Sequence, residues 1–398
     1  MIDKFGSLFA GHIDLEDIGF SATAANDRFY SNEQLATVFD KSEAMCVLMD
    51  ELGYDVFWMA EHHFQPEGYE CIPNILQLSV HLAHLTKQIK FGCGFNVSPM
   101  WHPLRLAEDY ATADILTKGR VVFGVGRGYH TREVESFGAP MLSQDENRDF
   151  FEEQVEVLFK SFNNESFSHQ GKHYTIPPEV PYRGYTLKEI TLVPRPINLP
   201  VECWQPIVSA GERGLNFMAK HGIKGIIGGG AAPGGASEQV VRKWQEVQAA
   251  HGNKTELGGD LILGISYFIA DSEEEAIRIA KPYYEENMKM FAPLGFVRGL
   301  TDDQLDALAD PARAPHANLP TLEEAVESGS WIVGRPEQVK ERIEEIEDRW
   351  PGLDHVNMGL PVGTPQSVLL EQLEVFGKEV MPHFKNRVRE AEAVPADD

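Results

Sequence analysis

Cysteine is scarce in this chain. The four present (Cys46, Cys71, Cys93 and Cys203) form no CxxC pair, which argues against a zinc knuckle or a disulfide framework and fits buried free thiols in a reducing cytoplasm. Long apolar runs are missing too. No stretch reaches the roughly 18 apolar residues of a membrane-spanning helix, and the opening MIDKFGSLFAGHIDLED lacks a basic segment followed by an apolar one, so neither an anchor nor a secretory leader is expected. Positive charge is the third shortage. With 35 basic against 61 acidic residues the net charge is −26, a field that repels phosphate backbones and anionic lipid and excludes nucleic acid and membrane surfaces as expected partners.

What is there is enough apolar material for a full core: 398 residues, 42% of them hydrophobic, suit one large domain or two medium ones. Short apolar runs alternate with helical periodicities. KFGSLF, DVFWMA, IKFGCGFNV, VVFGVG, PIVSA, IKGIIGG, LILGISYFIA and HVNMGL read as strands. Helices are expected between Leu35 and Leu52, over 74–86, after His102-Pro103 up to Lys118-Gly119, and over 147–162, 236–251, 272–290, 336–349 and 366–378. Eight strands, nearly all followed by helices, predict an α/β fold, a (β/α)8 barrel of the TIM type, over a single domain spanning 1–384. A doubly wound open sheet is the alternative, but no compositional break or linker divides the chain. Two insertions interrupt the alternation: 165–200, read as an extended hairpin arm, and 292–330, polar and rich in alanine and proline, read as a lid or disordered segment. Residues 385–398 read as a charged, frayed tail.

Barrel chemistry belongs at the C-terminal ends of strands, so WMAEHHFQ draws attention: Glu61, His62 and His63 follow the second strand directly. Adjacent histidines on an extended chain point to opposite sides, and no HxH or HExxH supplies a metal-ligand set. A metal site, ordinary packing and a catalytic or cofactor-contacting imidazole all stay open here, the last gaining weight from other strand ends. FGVGRGYH offers glycines for close backbone approach and Arg127 to grip a phosphate or ring carbonyl, although its GxGxG spacing is a poor dinucleotide fingerprint. VSAGERGLNF opens a helix with a small-residue turn and Arg213, the makings of an anion site or simply of a strain-free turn. GGGAAPGG (228–235) reads as a flexible loop, and His102 equally as a helix-capping or a functional residue.

The stretches LGYDVFWMAEHHF, HPLRLAEDYATADILTKGRVVFGVGRGYHTREVESFG and PVGTPQSV…EVMPHF together resemble the bacterial luciferase family of flavin monooxygenases, over roughly residues 3–160 and 200–385. That resemblance implies a barrel that takes reduced FMN (FMNH2) from a separate flavin reductase, reacts it with O2 to a C4a-peroxide, and oxygenates a small apolar substrate such as an aldehyde, ketone, terpenoid or hydrocarbon. It maps the catalytic imidazole onto His62, with Glu61 and His63 beside it. A constrained peptide under the flavin ring maps onto Gly94, Phe95 and Asn96, and phosphate contacts map onto Arg127, Gly128, Gly211, Glu212, Arg213 and Gly214. The 292–330 insertion matches a mobile lid, and a homodimer is expected. Two positions depart from luciferase catalytic subunits: Gly126 replaces a cysteine, and AGERG replaces a serine- and threonine-rich turn. Both bear on light emission and substrate, not on flavin binding. A deazaflavin (F420)-dependent hydride-transfer enzyme and a non-catalytic flavin-binding partner subunit are the rival expectations.

Overall fold

Strands that are apolar on both faces have to be covered on both, and a closed barrel wrapped in helices does this. In the computed structural model, which describes residues 1–393, eight parallel strands close on themselves: β1 (Lys4–Phe9), β2 (Val56–Met59), β3 (Lys90–Cys93), β4 (Val121–Gly126), β5 (Cys203–Pro206), β6 (Lys224–Ile227), β7 (Leu261–Ile269) and β8 (His355–Gly359). Each pairs with the next, and β8 returns to β1 with Lys4 opposite His355. The (β/α)8 expectation holds.

Alternation along each strand sorts the core into two layers. Phe5, Phe57, Met59, Phe91, Phe123 and Val125 face outward and merge with the helices into the main core. Val56, Trp58, Trp204 and Ile262 face inward, with Phe95, Val122 and Ile226 against them, as a separate cluster filling the barrel. Two tryptophans fit inside because their neighbours give up side chains. A Cβ on Gly92 would lie 2.2 Å from the Trp58 ring, and one on Gly6 would lie 2.4 Å from Asn357 Oδ1.

The expected helices appear at Asn32–Leu52, Ile75–Leu85, Pro103–Leu116, Gln144–Asn163, Ala236–Ala250, Glu273–Phe291, Pro336–Arg349 and Gln366–Val375. Ser31 and Gln34 cap the first reciprocally, and Gly53, at φ 81°, ends it. His102 resolves as an N-cap whose Nδ1 accepts from the Leu104 N–H. Among the described residues no helix is long and apolar enough to cross a membrane.

Several expectations need correction. The fifth strand is Cys203–Pro206, upstream of PIVSA: Trp204 fills the barrel, whereas Val208 is exposed. IKFGCGFNV is two strands, because the chain turns at a cis Gly94–Phe95 peptide before Asn96–Val97 pairs with β4. A short helix, Thr131–Ser136, does follow the FGVGRGYH turn. The 292–330 segment has regular structure of its own, helices Asp302–Leu308 and Leu322–Glu327, before an unanticipated strand, Trp331–Gly334, pairs with the end of β7. The hairpin reading of the 165–200 arm does hold, as two small hairpins, the first clamped by Glu153, which accepts from the backbone N–H groups of Lys172, His173 and Tyr174. The expected tail is helical through Ala393, with Lys385 bound to Asp55; 394–398 lie outside the described residues.

At the foot of the barrel His355 is 5% exposed. Burial holds its imidazole down to about 4, against the pull of Asp55 and Asp354. His12 is held low in the same way by burial and by Lys41. An unfolded histidine takes up its proton near pH 6.5, so stability is present above that pH and is lost as pH falls from 6.5 towards 4. His355 alone contributes about 3 kcal/mol to that slope. Urea unfolding across this range should show a shallower pH dependence for His355→Gln than for the parent; equal slopes would remove His355 from the account.

Candidate active site

At the end of β2 the chain leaves the sheet carrying three ionisable side chains, and buried partners meet all three. Glu61 accepts from the Val97 N–H at 2.8 Å and from Trp101 Nε1 at 2.7 Å, tying the exit of β2 to the loop after β3. His63 turns to the same carboxylate, Nε2 to Oε1 at 3.1 Å, and packs edge-on against Phe137. His62 faces the other way, as alternation requires. Its Nδ1 lies 3.3 Å from both oxygens of Glu133, and its Nε2 lies 3.1 Å from the Tyr129 hydroxyl and 3.3 Å from Glu70. Glu70 also meets the Tyr129 hydroxyl at 2.6 Å and His130 Nε2 at 2.8 Å. Glu133 takes the His63 backbone N–H and the Gln65 amide, both at 3.0 Å.

Both carboxylates of this cluster are only 1% exposed, so their charge needs compensation close by. Burial works against an imidazolium at His62, but Glu70, Glu133 and Glu61 outweigh it and raise the His62 pKa above its ordinary value. Burial likewise opposes the Glu133 carboxylate, yet His62, His130 and Gln65 bring it below its ordinary range. Ligand atoms of His62, Glu70, His130 and Glu133 all lie within 4.8 Å of one another, a spacing a divalent cation accepts. Each already has a hydrogen-bonding partner inside the cluster, so proton sharing accounts for the arrangement.

Beside this cluster the barrel mouth has a glycine-lined wall. Gly124 and Gly126 face Phe95: a Cβ on Gly124 would fall 2.0 Å from the Cys93 carbonyl oxygen, and one on Gly126 would fall 3.3 Å from Phe95 Cβ. Gly128, at φ 81°, lets the chain turn where a Cβ would strike Val134 and Val97. Asn96 is fully buried and donates to the Gly124 carbonyl at 2.9 Å, while its own Oδ1, like the Ser98 hydroxyl, has no partner among the described residues. Leu8, on the inward face of β1, is 39% exposed, so the mouth is open above the tryptophan layer.

Arginines gather at one side. Arg127 is half-buried and donates to Asn147 Oδ1 at 3.0 Å, and Asn147 donates back to the Arg127 carbonyl. Burial, with the charges of Arg148 and Arg213, draws its guanidinium below the ordinary arginine value. A Cβ on Gly214 would sit 3.6 Å from Arg148 Nη1, which brings the 211–214 turn to this cluster. Gly211 caps the Glu212–His221 helix, leaving its first N–H groups without side-chain acceptors. The remaining two expected contacts are engaged elsewhere: Arg213 binds Asp149 and Glu152, and Glu212 is exposed and pairs with Lys243. Above the mouth runs the segment after Phe291. Phe296 packs edge-on against Tyr129, and Arg298 donates to the Val208 carbonyl, so one short stretch spans from the histidine cluster to the loop that follows β5. A cavity of about 730 Å³ also opens at the opposite foot of the barrel, lined by Lys4, Trp58, Lys90, Lys224 and His355, far from this chemistry.

A family model described as luciferase-like monooxygenase matches residues 17–351. The chain belongs to the luciferase-like monooxygenase family. It is 23% identical over 378 residues to the oxygenase component of the flavin-dependent trigonelline monooxygenase of Acinetobacter baylyi, covering 92% of this chain and 95% of that one. The oxygenating constituent of 3,6-diketocamphane monooxygenase from Pseudomonas putida, solved with FMN, superposes with a TM-score of 0.71 at 20% identity, covering 96% of this chain and 98% of that one. An F420-dependent secondary alcohol dehydrogenase shares the fold at a TM-score of 0.65 and 15% identity, covering 96% and 98%.

Within this luciferase-like barrel, sequence reasoning singled out His62, Glu61, His63 and Arg127 but passed over Glu70, Tyr129, His130, Glu133 and Arg148. One signal was available: Asn147 falls on the apolar stripe that Phe151, Gln154, Val155 and Leu158 form on one helix, and a polar residue on such a stripe has a partner to serve. The wall makes a sharp prediction. Gly124→Ala presses a Cβ against backbone and should cost about 3 kcal/mol. Gly211→Ala, at φ −68° and with nothing nearer than Ser209 Oγ at 3.5 Å, should stay within about 0.5 kcal/mol. Denaturant midpoints decide both.

Proposed function

We propose that this chain is the oxygenase half of a two-component system: it takes reduced FMN from a separate reductase, admits O2, and oxygenates a small apolar molecule. The observation that carries this reading is the meeting, at one barrel mouth, of a half-buried arginine cluster, a glycine-lined wall, and a buried histidine–carboxylate network. These residues fit FMN. Arg127 and Arg148, with the free N–H groups opening the Glu212–His221 helix, suit a phosphate dianion. The unpartnered Asn96 Oδ1 and Ser98 hydroxyl offer polar contacts where a ring edge would lie. Reduced flavin, when bound, supplies the electrons that activate O2.

The rest falls to the chain itself. Arg127 and Arg148 would anchor the phosphate, and the Gly124–Gly126 wall lets the Phe95 segment lie close against β4 at the mouth. Phe296, lying over Tyr129, and Arg298, bridging to Val208, act as a lid that keeps water from the reacting centre. His62 holds or moves a proton there. The exposed Leu8, Val208 and Phe296 side chains give the substrate an apolar chamber.

The reading is tested by loading the protein anaerobically with FMNH2, then mixing with 18O2 in the presence of aldehydes, ketones, terpenes and alkanes. Label in one product is the expected outcome. Reduction of F420 by a secondary alcohol, with no FMNH2 binding, would transfer the site to hydride chemistry. Arg148→Ala should weaken FMNH2 binding about 10- to 100-fold, the loss of one charge-assisted contact, with the unfolding midpoint unchanged.

A further inference from the structure

The hydrogen-bond directions around His62 can be assigned almost completely, because carboxylates accept and one amide is fixed in orientation. Arg132 donates to Gln65 Oε1 at 3.0 Å, so the Gln65 nitrogen faces Glu133 as a donor. Tyr129 has a single proton and gives it to Glu70 at 2.6 Å. Its oxygen is then only an acceptor towards His62 Nε2 at 3.1 Å, and Glu70, 3.3 Å from the same nitrogen, is an acceptor as well. Nε2 therefore carries hydrogen. So does Nδ1, which faces the two Glu133 oxygens. His130 Nε2 lies between Glu70 at 2.8 Å and the Gln65 nitrogen at 3.2 Å; the shorter contact makes it a donor to Glu70. With both carboxylates ionised, His62 is an imidazolium with neither nitrogen free.

Resting on the monooxygenase reading above, we propose that Tyr129 is a proton conduit between His62 and Glu70, so that the site stores and returns a proton without exchanging it with solvent. In the transfer the His62 Nε2–H bond breaks as an O–H bond forms on Tyr129. The original Tyr129 O–H bond breaks as one forms on Glu70 Oε1. Imidazolium and carboxylate become neutral imidazole and carboxylic acid; the hydrogen count and the net charge are unchanged, and nothing is oxidised or reduced. Tyr129 is suited to this: burial and Glu70 hold its own ionisation well above the ordinary tyrosine value, so it passes protons without resting as a phenolate. Glu133, on the short helix after it, holds the other side of the imidazolium; Glu61 and His130 also act on the network, with Cys71 beside Glu70 and Arg132 beside Glu133. Phe296, packed on the Tyr129 ring, closes the conduit from above. Tyr129 and Glu70 are thus positioning residues that act through His62.

Two measurements test this, one of them independent of any cofactor. Nitrogen-15 NMR of histidine-labelled protein without flavin should show both His62 nitrogens protonated at pH 7, with deprotonation shifted to lower pH by at least one unit in Glu70→Gln. A neutral His62 carrying one proton at pH 7 would overturn the proposal whatever the enzyme oxidises. In the loaded enzyme, Tyr129→Phe keeps the ring against Phe296. It should lower kcat at least tenfold with KM unchanged, and should turn a curved dependence of rate on solvent deuterium fraction, the mark of two protons in flight, into a straight one. A purely structural Tyr129 would leave the shape of that dependence unaltered. If FMNH2 binding fails altogether, the functional reading falls, and the NMR titration still tests the doubly protonated His62 that the conduit requires.

Discussion

Two ionised carboxylates beneath the surface are the constraint around which this barrel mouth is built. Glu70 and Glu133 are each 1% exposed, and an unpaired carboxylate at that depth costs several kcal/mol. Their partners come from two separate pieces of chain: His62, the His63 backbone N–H and Gln65 from the exit of β2, and Tyr129 and His130 from the turn after β4. Remove one partner and a charge is stranded, so the network fixes the relative positions of two strand exits that share no covalent neighbour. The same requirement protonates His62 on both nitrogens. Structural demand and chemical state have one cause here.

The lower half of the barrel obeys a different rule, set by volume. Trp58 and Trp204 meet edge-on with centroids 6.1 Å apart, and the Trp58 ring has room because Gly92 carries no side chain. This plug separates the mouth from the cavity at the foot, so a molecule entering above Leu8 meets a floor. The wall continues the glycine pattern upward through Gly124 and Gly126. Absence of side chains therefore does two jobs at two heights: tryptophan packing below, and close approach of the Cys93–Phe95 segment to β4 above. A third tie comes from the helix before the covering segment. Glu286, fully buried, binds Arg28 and Lys289, which holds the Glu273–Phe291 helix to the N-terminal loop and gives the Phe296–Arg298 stretch a fixed point of departure.

Much of this was legible in the sequence, for physical reasons that also mark the limit. Strands buried on both faces leave continuous apolar runs, and helices leave a 3.6-residue stripe, so the alternation and the barrel could be read directly. The fifth strand was misplaced because PIVSA is the more apolar run, whereas the residue that fills the barrel is the tryptophan in CWQP, beside an otherwise polar sequence. His62 stood out as one of a histidine pair at a strand exit. Its partners did not, since Glu70 lies in an irregular loop with no periodicity, and Glu133 on a six-residue helix too short to show a face. Arg148 reads as an ordinary solvated charge beside Asp149. Pairings across 59 to 71 positions are set by the fold, and local pattern carries no trace of them.

Electrostatics links these layers. A chain of net charge −26 repels an anionic ligand at long range, and that field is largely screened beyond a Debye length of about 8 Å at physiological salt. Any attraction has to be local, and Arg127, Arg148 and Arg213 are concentrated on one flank of the mouth. Asp149 and Glu152 hold Arg213 in place, so the cluster combines one tethered guanidinium with two that face less compensation. On the opposite flank the buried carboxylates keep His62 cationic. The arginine flank thus carries fixed positive charge, whereas on the histidine flank the His62 imidazolium is enclosed by the carboxylates of Glu70 and Glu133, and only there can a proton move without weakening the hold of the arginines.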